Sequence, residues 1–264
     1  MYSLVIPIYK NSASIPELLT ELSKLNNKLE NKLECIFVVD GSPENEFNIL
    51  QKLLSKYNFK SQLIAHSKNF GSFSAIRTGF EQGSGKYFCF MAADLQESIS
   101  LIEKIFVKLK NNDLDIVIAK RTVRQDALID TLFSNIYWKF YRFFINRDIP
   151  AGGVDLFGCS QQLKDILLSL KEQHTSLVGL LYWTGFKKEY IEYQRQKRKF
   201  GKSTWSFPKK FNYAIDSIYS FSKLPINLIN ICGILGIISS FLFLNEFHFI
   251  YFLVIFFGRL NILV

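Results

Sequence analysis

Cysteine and histidine are scarce in this chain of 264 residues, which has four of the first and three of the second. Cys35, Cys89, Cys159 and Cys232 show no paired spacing and three sit in apolar runs. That argues against a disulfide framework or a zinc set, so the thiols read as reduced core residues. His66, His174 and His248 are isolated, and none has a ligand-like neighbour. An N-terminal signal is also missing: Tyr2 to Pro7 reads as a strand at once, which leaves the expected chemistry in the cytosol. Acid is in deficit, with 23 Asp and Glu against 32 Lys and Arg and a net charge of +9.

Apolar residues, at 48%, are plentiful enough for a full core in one or two domains, but they are unevenly spread. Ile226 to Leu244 runs for 19 residues without a charge, and Phe247 to Val264 carries only Arg259. Each is long enough to cross a hydrocarbon layer of roughly 30 Å as a helix, the other reading being a pair of buried core helices. Asn245 and Glu246 would turn the pair as a tight hairpin. Asn261 to Val264 offers no polar anchor, which leaves open a truncated chain or a short last helix. Just ahead of the first span, Lys187 to Lys210 holds nine Lys or Arg against two Glu, a net of +7. This fits the positive-inside pattern and an anionic membrane surface. Nucleic acid is the competing partner, and closeness to the spans favours lipid phosphate. Pro208 to Phe221 places Phe211, Ile215, Ile218 and Phe221 on one side of a helix that either lies in the membrane interface or docks on the domain.

The first half alternates strand-like and helix-like patterns. Strands are expected at Ser3 to Pro7, Cys35 to Val39, Gln62 to His66, Tyr87 to Ala92 and Asp115 to Ala119, with helical periods between them. Such a series folds as an α/β unit with a mostly parallel sheet and helices on both faces. Ser14, Pro16 and Glu17 predict a capping box at the first helix. Ile149 to Gly153 is a glycine turn leading into Val154 to Cys159. Asp94 ends the apolar run from Phe88, with Gln96 two positions on. An acid there is either a ligand group at the strand's carboxyl end or the cap of the next helix. Asp40-Gly-Ser-Pro43 is either a plain turn or a carboxylate facing a nucleotide. Asn69-Phe-Gly71 precedes a helix whose free amides could face phosphate.

In order along the chain stand PIY, VVDGSP, NFGSFSAIRTG, MAADLQE, AKRTVR, IPAGGVD, WTGF and RQKRKFGKSTW, followed by a helix and the apolar spans. This succession resembles the family-2 glycosyltransferases of GT-A fold. Within them it is most similar to the polyprenyl-phosphate branch, which includes dolichol-phosphate mannose synthases and bacterial undecaprenyl-phosphate glucosyltransferases. The resemblance implies a catalytic domain over residues 1–206, an amphipathic juxtamembrane helix over 207–223 and two transmembrane helices over 224–264. It implies a multi-pass protein of a membrane such as the bacterial inner membrane, with its catalytic domain cytosolic. Pro7, Tyr9, Asp40, Asn69, Gly71, Arg77 and Ala93 would line the donor site, and Asp94 and Gln96 would hold Mg²⁺ or Mn²⁺. Arg121, Arg124, Arg195, Arg198, Lys202 and Ser203 would receive the acceptor phosphate, and Asp155 would join Asp94 as a catalytic residue. The implied partners are a nucleotide sugar, a polyprenyl phosphate and, as for some relatives, further copies of the chain. Hard divalent ions need few protein oxygens when phosphates and water supply the rest, and arginine matches phosphate in a forked geometry.

Two departures stand out. The paired acids familiar in the family are written here as Val39-Asp40 and Ala92-Ala93-Asp94, so each pair lacks its first carboxylate. Asp155 carries the family's label of catalytic base, although a phosphate monoester is already an anionic nucleophile and needs little deprotonation. The alternatives are an enzyme that extends a lipid-linked glycan at a hydroxyl and a non-catalytic membrane protein that binds nucleotide sugars or partners.

Overall fold

The computed structural model describes residues 1–112, 114–121, 138–139, 141–143, 147–150, 154, 156–170, 177–196, 198–200, 207–243 and 255–256. Seven strands form one mixed sheet: β1 (Tyr2–Ile8), β2 (Leu33–Asp40), β3 (Lys60–His66), β4 (Tyr87–Phe90), β5 (Ile116–Arg121), β6 (Leu156–Ser160) and β7 (Lys188–Tyr193). Their order across the sheet is β3-β2-β1-β4-β6-β5-β7. All neighbours pair in parallel except β6, which runs against both β4 and β5.

The central strands are apolar on both faces because both faces are covered. Leu4, Ile6 and Ile8 of β1 and Cys35, Phe37 and Val39 of β2 enter one core, while Val5, Ile36 and Val38 enter the other. This period-two division explains why their sequences read as continuous apolar runs. The first core is closed by α1 (Ile15–Lys28), α2 (Glu46–Leu53) and α4 (Ile99–Asn111), the second by α3 (Ser72–Gln82), α5 (Gln161–Ser169) and α6 (Leu177–Trp183). On α4 the buried residues Ile99, Ile102, Ile105, Phe106 and Leu109 recur at helical spacing and make the stripe that seats the helix. Cys35, Cys89 and Cys159 are buried free thiols, and burial raises the pKa of each. Cys232 departs from the core assignment, being an exposed free thiol.

The expected capping box does not form. Ser14 continues a 3₁₀ turn, Ser12–Ser14, in right-handed helical conformation, and its hydroxyl donates back to the Asn11 carbonyl at 2.9 Å. Glu17 pairs instead with Lys199 at 2.6 Å. The expected apolar side of the helix before the spans is also divided. In α7 (Phe207–Phe221) Tyr213 stacks on Phe73 at 5.4 Å between ring centroids and Ser217 is fully buried. The Phe221 ring lies so close to Gly179 of α6 that a Cβ there would stand 2.3 Å from it. Phe211 and Tyr219 are exposed. The helix is therefore docked along the 213, 217, 221 line and leaves a second aromatic line outward. α8 (Leu224–Phe243) follows, and its segment Leu224–Phe241 is long and apolar enough to cross a membrane, with 6% of it buried. Of the second apolar stretch, Ile255 and Phe256 are described, and the Phe256 ring packs over Gly233 of α8.

A polar node closes the sheet edge from which β1, β2 and β4 start. Glu34 is fully buried and accepts from Ser3 Oγ and Ser84 N, both at 2.8 Å, and from Gln62 Nε2 at 3.1 Å, while pairing with Lys60 at 2.8 Å. Burial alone would raise its pKa; Lys60, the Ser84 amide, Ser3 and Gln62 outweigh it and hold the carboxyl at about 2 against an ordinary 4.5. The folded-state pKa lies below the unfolded one, so the stabilisation is fully present above about pH 4.5 and is lost as pH falls toward 2. Its size is about 3 kcal/mol. Glu34→Gln is expected to lower the melting temperature at pH 7 and to flatten the acid limb of a melting curve measured between pH 5 and pH 3. An unchanged acid limb would remove the node from the stability of the fold.

Candidate active site

Because β1 to β4 run parallel, Pro7, Asp40, His66 and the turn after Phe90 all reach the same carboxyl edge of the sheet. β5 and β7 share that direction, so Arg121 ends β5 opposite Tyr193 and the basic segment after β7 leaves from the same edge. Open α/β sheets bind ligands at this edge.

Two loops meet there. Asp94 Oδ2 pairs with Arg198 Nη2 at 2.8 Å, and the same nitrogen donates to Gln96 Oε1 at 3.2 Å. Gln196 N donates to the Gln96 carbonyl at 3.0 Å, and Gln96 Nε2 donates back to the Gln196 carbonyl at 3.2 Å. Glu97 and Arg195 follow at 3.5 Å. The partners of 94, 96 and 97 are thus 198, 196 and 195, an antiparallel clasp. It joins the loop after β4 to the segment after β7 across the ends of β6 and β5, a span of about 14 Å at ordinary strand spacing. Leu95 makes the turn possible by taking φ +58°, an uncommon conformation for a side chain of its kind, while its own side chain is buried. Asp94 does not cap the next helix: Ser98 does, accepting from Leu101 N at 3.3 Å. Ala93, also expected at the site, is buried beside it.

Asp40 has a different occupation from the one expected. It is 2% exposed; Oδ1 accepts from Phe70 N at 2.9 Å and meets His66 Nδ1 at 2.8 Å, and Oδ2 accepts from Gly71 N at 2.8 Å. Asn69 Nδ2 donates to the Asp40 carbonyl at 3.2 Å. The carboxylate therefore shapes the Asn69-Phe70-Gly71 turn that leads into α3 by taking the Phe70 and Gly71 amides. His66 Nε2 lies 3.0 Å from Thr78 Oγ1, so the imidazole ties this turn to α3. Gly41 has φ +56° and a Cβ there would stand 2.1 Å from the Lys68 carbonyl carbon, whereas Gly71 has φ +96° and open space around it.

Pro7 and Tyr9 lie at the end of β1, both half-buried, with Tyr9 N donating to Asn11 Oδ1 at 3.2 Å. Buried Glu46 accepts from Asn11 N at 3.0 Å and from Ser42 Oγ at 2.8 Å, locking the first two crossover loops together. Arg77, expected at the donor site, bridges two helices. Its guanidinium donates to the carbonyls of Leu168 and Leu170, both at 2.6 Å, and so anchors the end of α5 to α3. Arg124, Asp155, Lys202 and Ser203 lie outside the described residues. His66, Glu97, Gln196 and Glu46 were not singled out by sequence reasoning. Only His66 carried a usable signal, standing in register with Asp40 at the ends of paired strands.

The sheet and the placement of acids at its carboxyl edge define the GT-A type of α/β fold. The family model for glycosyl transferase family 2 matches residues 3–176, and the chain belongs to that family. It is 31% identical over 92% of its length to CsbB of Bacillus subtilis (strain 168), a protein named as a glycosyltransferase, and covers 74% of it. It is 28% identical over 91% of its length to the undecaprenyl-phosphate 4-deoxy-4-formamido-L-arabinose transferase of Proteus mirabilis (strain HI4320), covering 73% of that chain. Among solved structures, the mannosyltransferase PcManGT from Pyrobaculum calidifontis in complex with GDP-Man and Mn²⁺ is similar in fold. The TM-score is 0.54 at 14% identity, over 83% of this chain and 69% of that one.

The two glycines separate strain from space. Gly71→Ala is expected to cost about 1–3 kcal/mol, the backbone term alone. Gly41→Ala carries the same strain plus a clash with the backbone of residues 68 and 69, so its melting temperature should fall further. Equal shifts in thermal denaturation of the two variants would contradict the close approach of these loops.

Proposed function

We propose that the chain is a membrane-anchored inverting glycosyltransferase that moves one sugar from a nucleotide donor to a polyprenyl phosphate at the cytosolic face. The observation that carries this reading is the clasp. It brings the Asp94-Gln96 pair together with an arginine segment that leads toward a docked amphipathic helix and an exposed apolar one. The names of the relatives agree, since one is an undecaprenyl-phosphate sugar transferase. In this reading residues 1–206 form the catalytic domain, 207–223 form a juxtamembrane helix docked on it, and 224–264 form a transmembrane hairpin.

The donor set fits Mg²⁺ or Mn²⁺. Two oxygens, one carboxylate and one carboxamide, converge on a single positively charged nitrogen, so the pair is built to share a cation. No group of three or more His, Cys, Asp or Glu suited to a metal occurs among the described residues. That agrees with an ion completing its shell with diphosphate and water. The related PcManGT structure contains Mn²⁺ with its donor. Asp94 and Gln96 would hold the ion, and bound there it would supply positive charge to offset that of the departing nucleoside diphosphate. Asp40 and His66 hold the donor loop in shape, and Arg121, Arg195 and Arg198 offer guanidinium groups at the same edge. On the family resemblance Arg124, Lys202 and Ser203 join them and Asp155 carries the label of catalytic base; in this reading Asp155 orients the acceptor, whose phosphate attacks the anomeric carbon.

Purified protein incubated with undecaprenyl phosphate, Mn²⁺ and a panel of nucleotide sugars is expected to form one lipid-linked monosaccharide. Asp94→Ala should reduce turnover at least 100-fold, about 2.7 kcal/mol in the barrier. No product with any donor, together with no metal-dependent nucleotide binding, would sink the proposal. Asp155→Asn should leave substantial activity with a phosphate acceptor; complete loss would favour a hydroxyl acceptor and glycan extension.

A further inference from the structure

Arg198 occupies the position that the proposed cation would take. Its Nη2 meets both Asp94 Oδ2 and Gln96 Oε1, the two oxygens assigned to the ion. A carboxylate only 4% exposed carries a heavy desolvation cost unless a positive group accompanies it, and in this arrangement the chain supplies its own. Neighbours of Arg198 have contacts of their own: Gln196 with Gln96, Arg195 with Glu97, and Lys199 with Glu17 at 2.6 Å. The clasp thus has contacts, Gln96 with Gln196 and Glu97 with Arg195, that do not pass through the Arg198 guanidinium.

Resting on the metal site proposed above, we propose that Arg198 is a built-in counter-cation that holds Asp94 and Gln96 closed to a lone metal ion and yields them to a metal carried by diphosphate. A free divalent ion must expel the guanidinium and leave it without its carboxylate. A metal-diphosphate complex offers that guanidinium phosphate oxygens in exchange, in the forked geometry arginine favours. Metal and diphosphate binding are thereby coupled through one side chain, and the coupling is reciprocal. Arg198 is in this respect a positioning residue that sets the order of binding.

The test uses the full chain in detergent, with free Mn²⁺ followed by electron paramagnetic resonance, first alone and then with inorganic pyrophosphate. Arg198→Ala is expected to bind Mn²⁺ alone about tenfold more tightly than wild type, the effect of removing one charge-assisted competitor. The enhancement by pyrophosphate should shrink by a similar factor. Arg198→Lys, which keeps a cation at the position, should lie between the two and guards against a folding defect in the alanine variant. Asp94→Asn should lose binding under both conditions. If Asp94→Asn loses binding while Arg198→Ala and wild type bind free Mn²⁺ equally, the counter-cation role is overturned and the metal site stands. If Asp94→Asn binds Mn²⁺ with pyrophosphate as wild type does, the metal assignment is overturned, and the role of Arg198 with it.

Discussion

A carboxylate buried at the end of a parallel strand must be neutralised, and the Asp94-Arg198 pair that meets this need organises the whole carboxyl edge. The pair lies at one end of an antiparallel clasp whose other members, Gln96 with Gln196 and Glu97 with Arg195, hold the loop after β4 against the segment after β7. Without that contact the basic segment would leave the sheet at β7, three strand positions away from β4. With it, the basic segment is drawn over Asp94 and Gln96. The strained Leu95 is held between two anchored residues, as persistence of such a backbone requires.

The second constraint lies at Asp40. Its two carboxylate oxygens take the amides of Phe70 and Gly71 and one nitrogen of His66, so a charged group buried at the edge is spent on shaping a loop. The missing acid at position 39 becomes intelligible in these terms. Val39 faces the core formed with α1 and α4, where a second carboxylate would lie among apolar side chains. Ala92, the other departure, is half-buried beside the clasp, where Arg198 meets one carboxylate oxygen, from Asp94, and one carboxamide oxygen, from Gln96.

The fold was largely legible in the sequence because the central strands are covered on both faces and read as unbroken apolar runs. β7 was not, since Lys188, Glu189 and Glu192 are mixed with Tyr190, Ile191 and Tyr193 without regular alternation, on a strand with a single neighbour that carries no apolar run. Asp94 and Gln96 could be picked out by their place after β4, and Arg198 by its basic segment. Their direct pairing could not, because the partners are separated by 102 positions in the case of Gln96 and no local pattern records a contact of that range. The true capping serine of α4 and the failed capping box of α1 show the same limit at short range. Ser98 has extended backbone and can cap, whereas Ser14 is already helical and cannot.

β2 carries both the Glu34 node and Asp40, six residues apart, or about 20 Å along an extended strand. At that distance the free-energy effects of changes at the two ends should add, with no shared partner to couple them. One strand thus serves as a thermodynamic insulator. Its starting end can be tuned to make the fold firmer or weaker while its finishing end keeps the shape of the 69–71 turn, so the stability of the sheet and the form of its carboxyl edge become separately adjustable in a single run of eight residues.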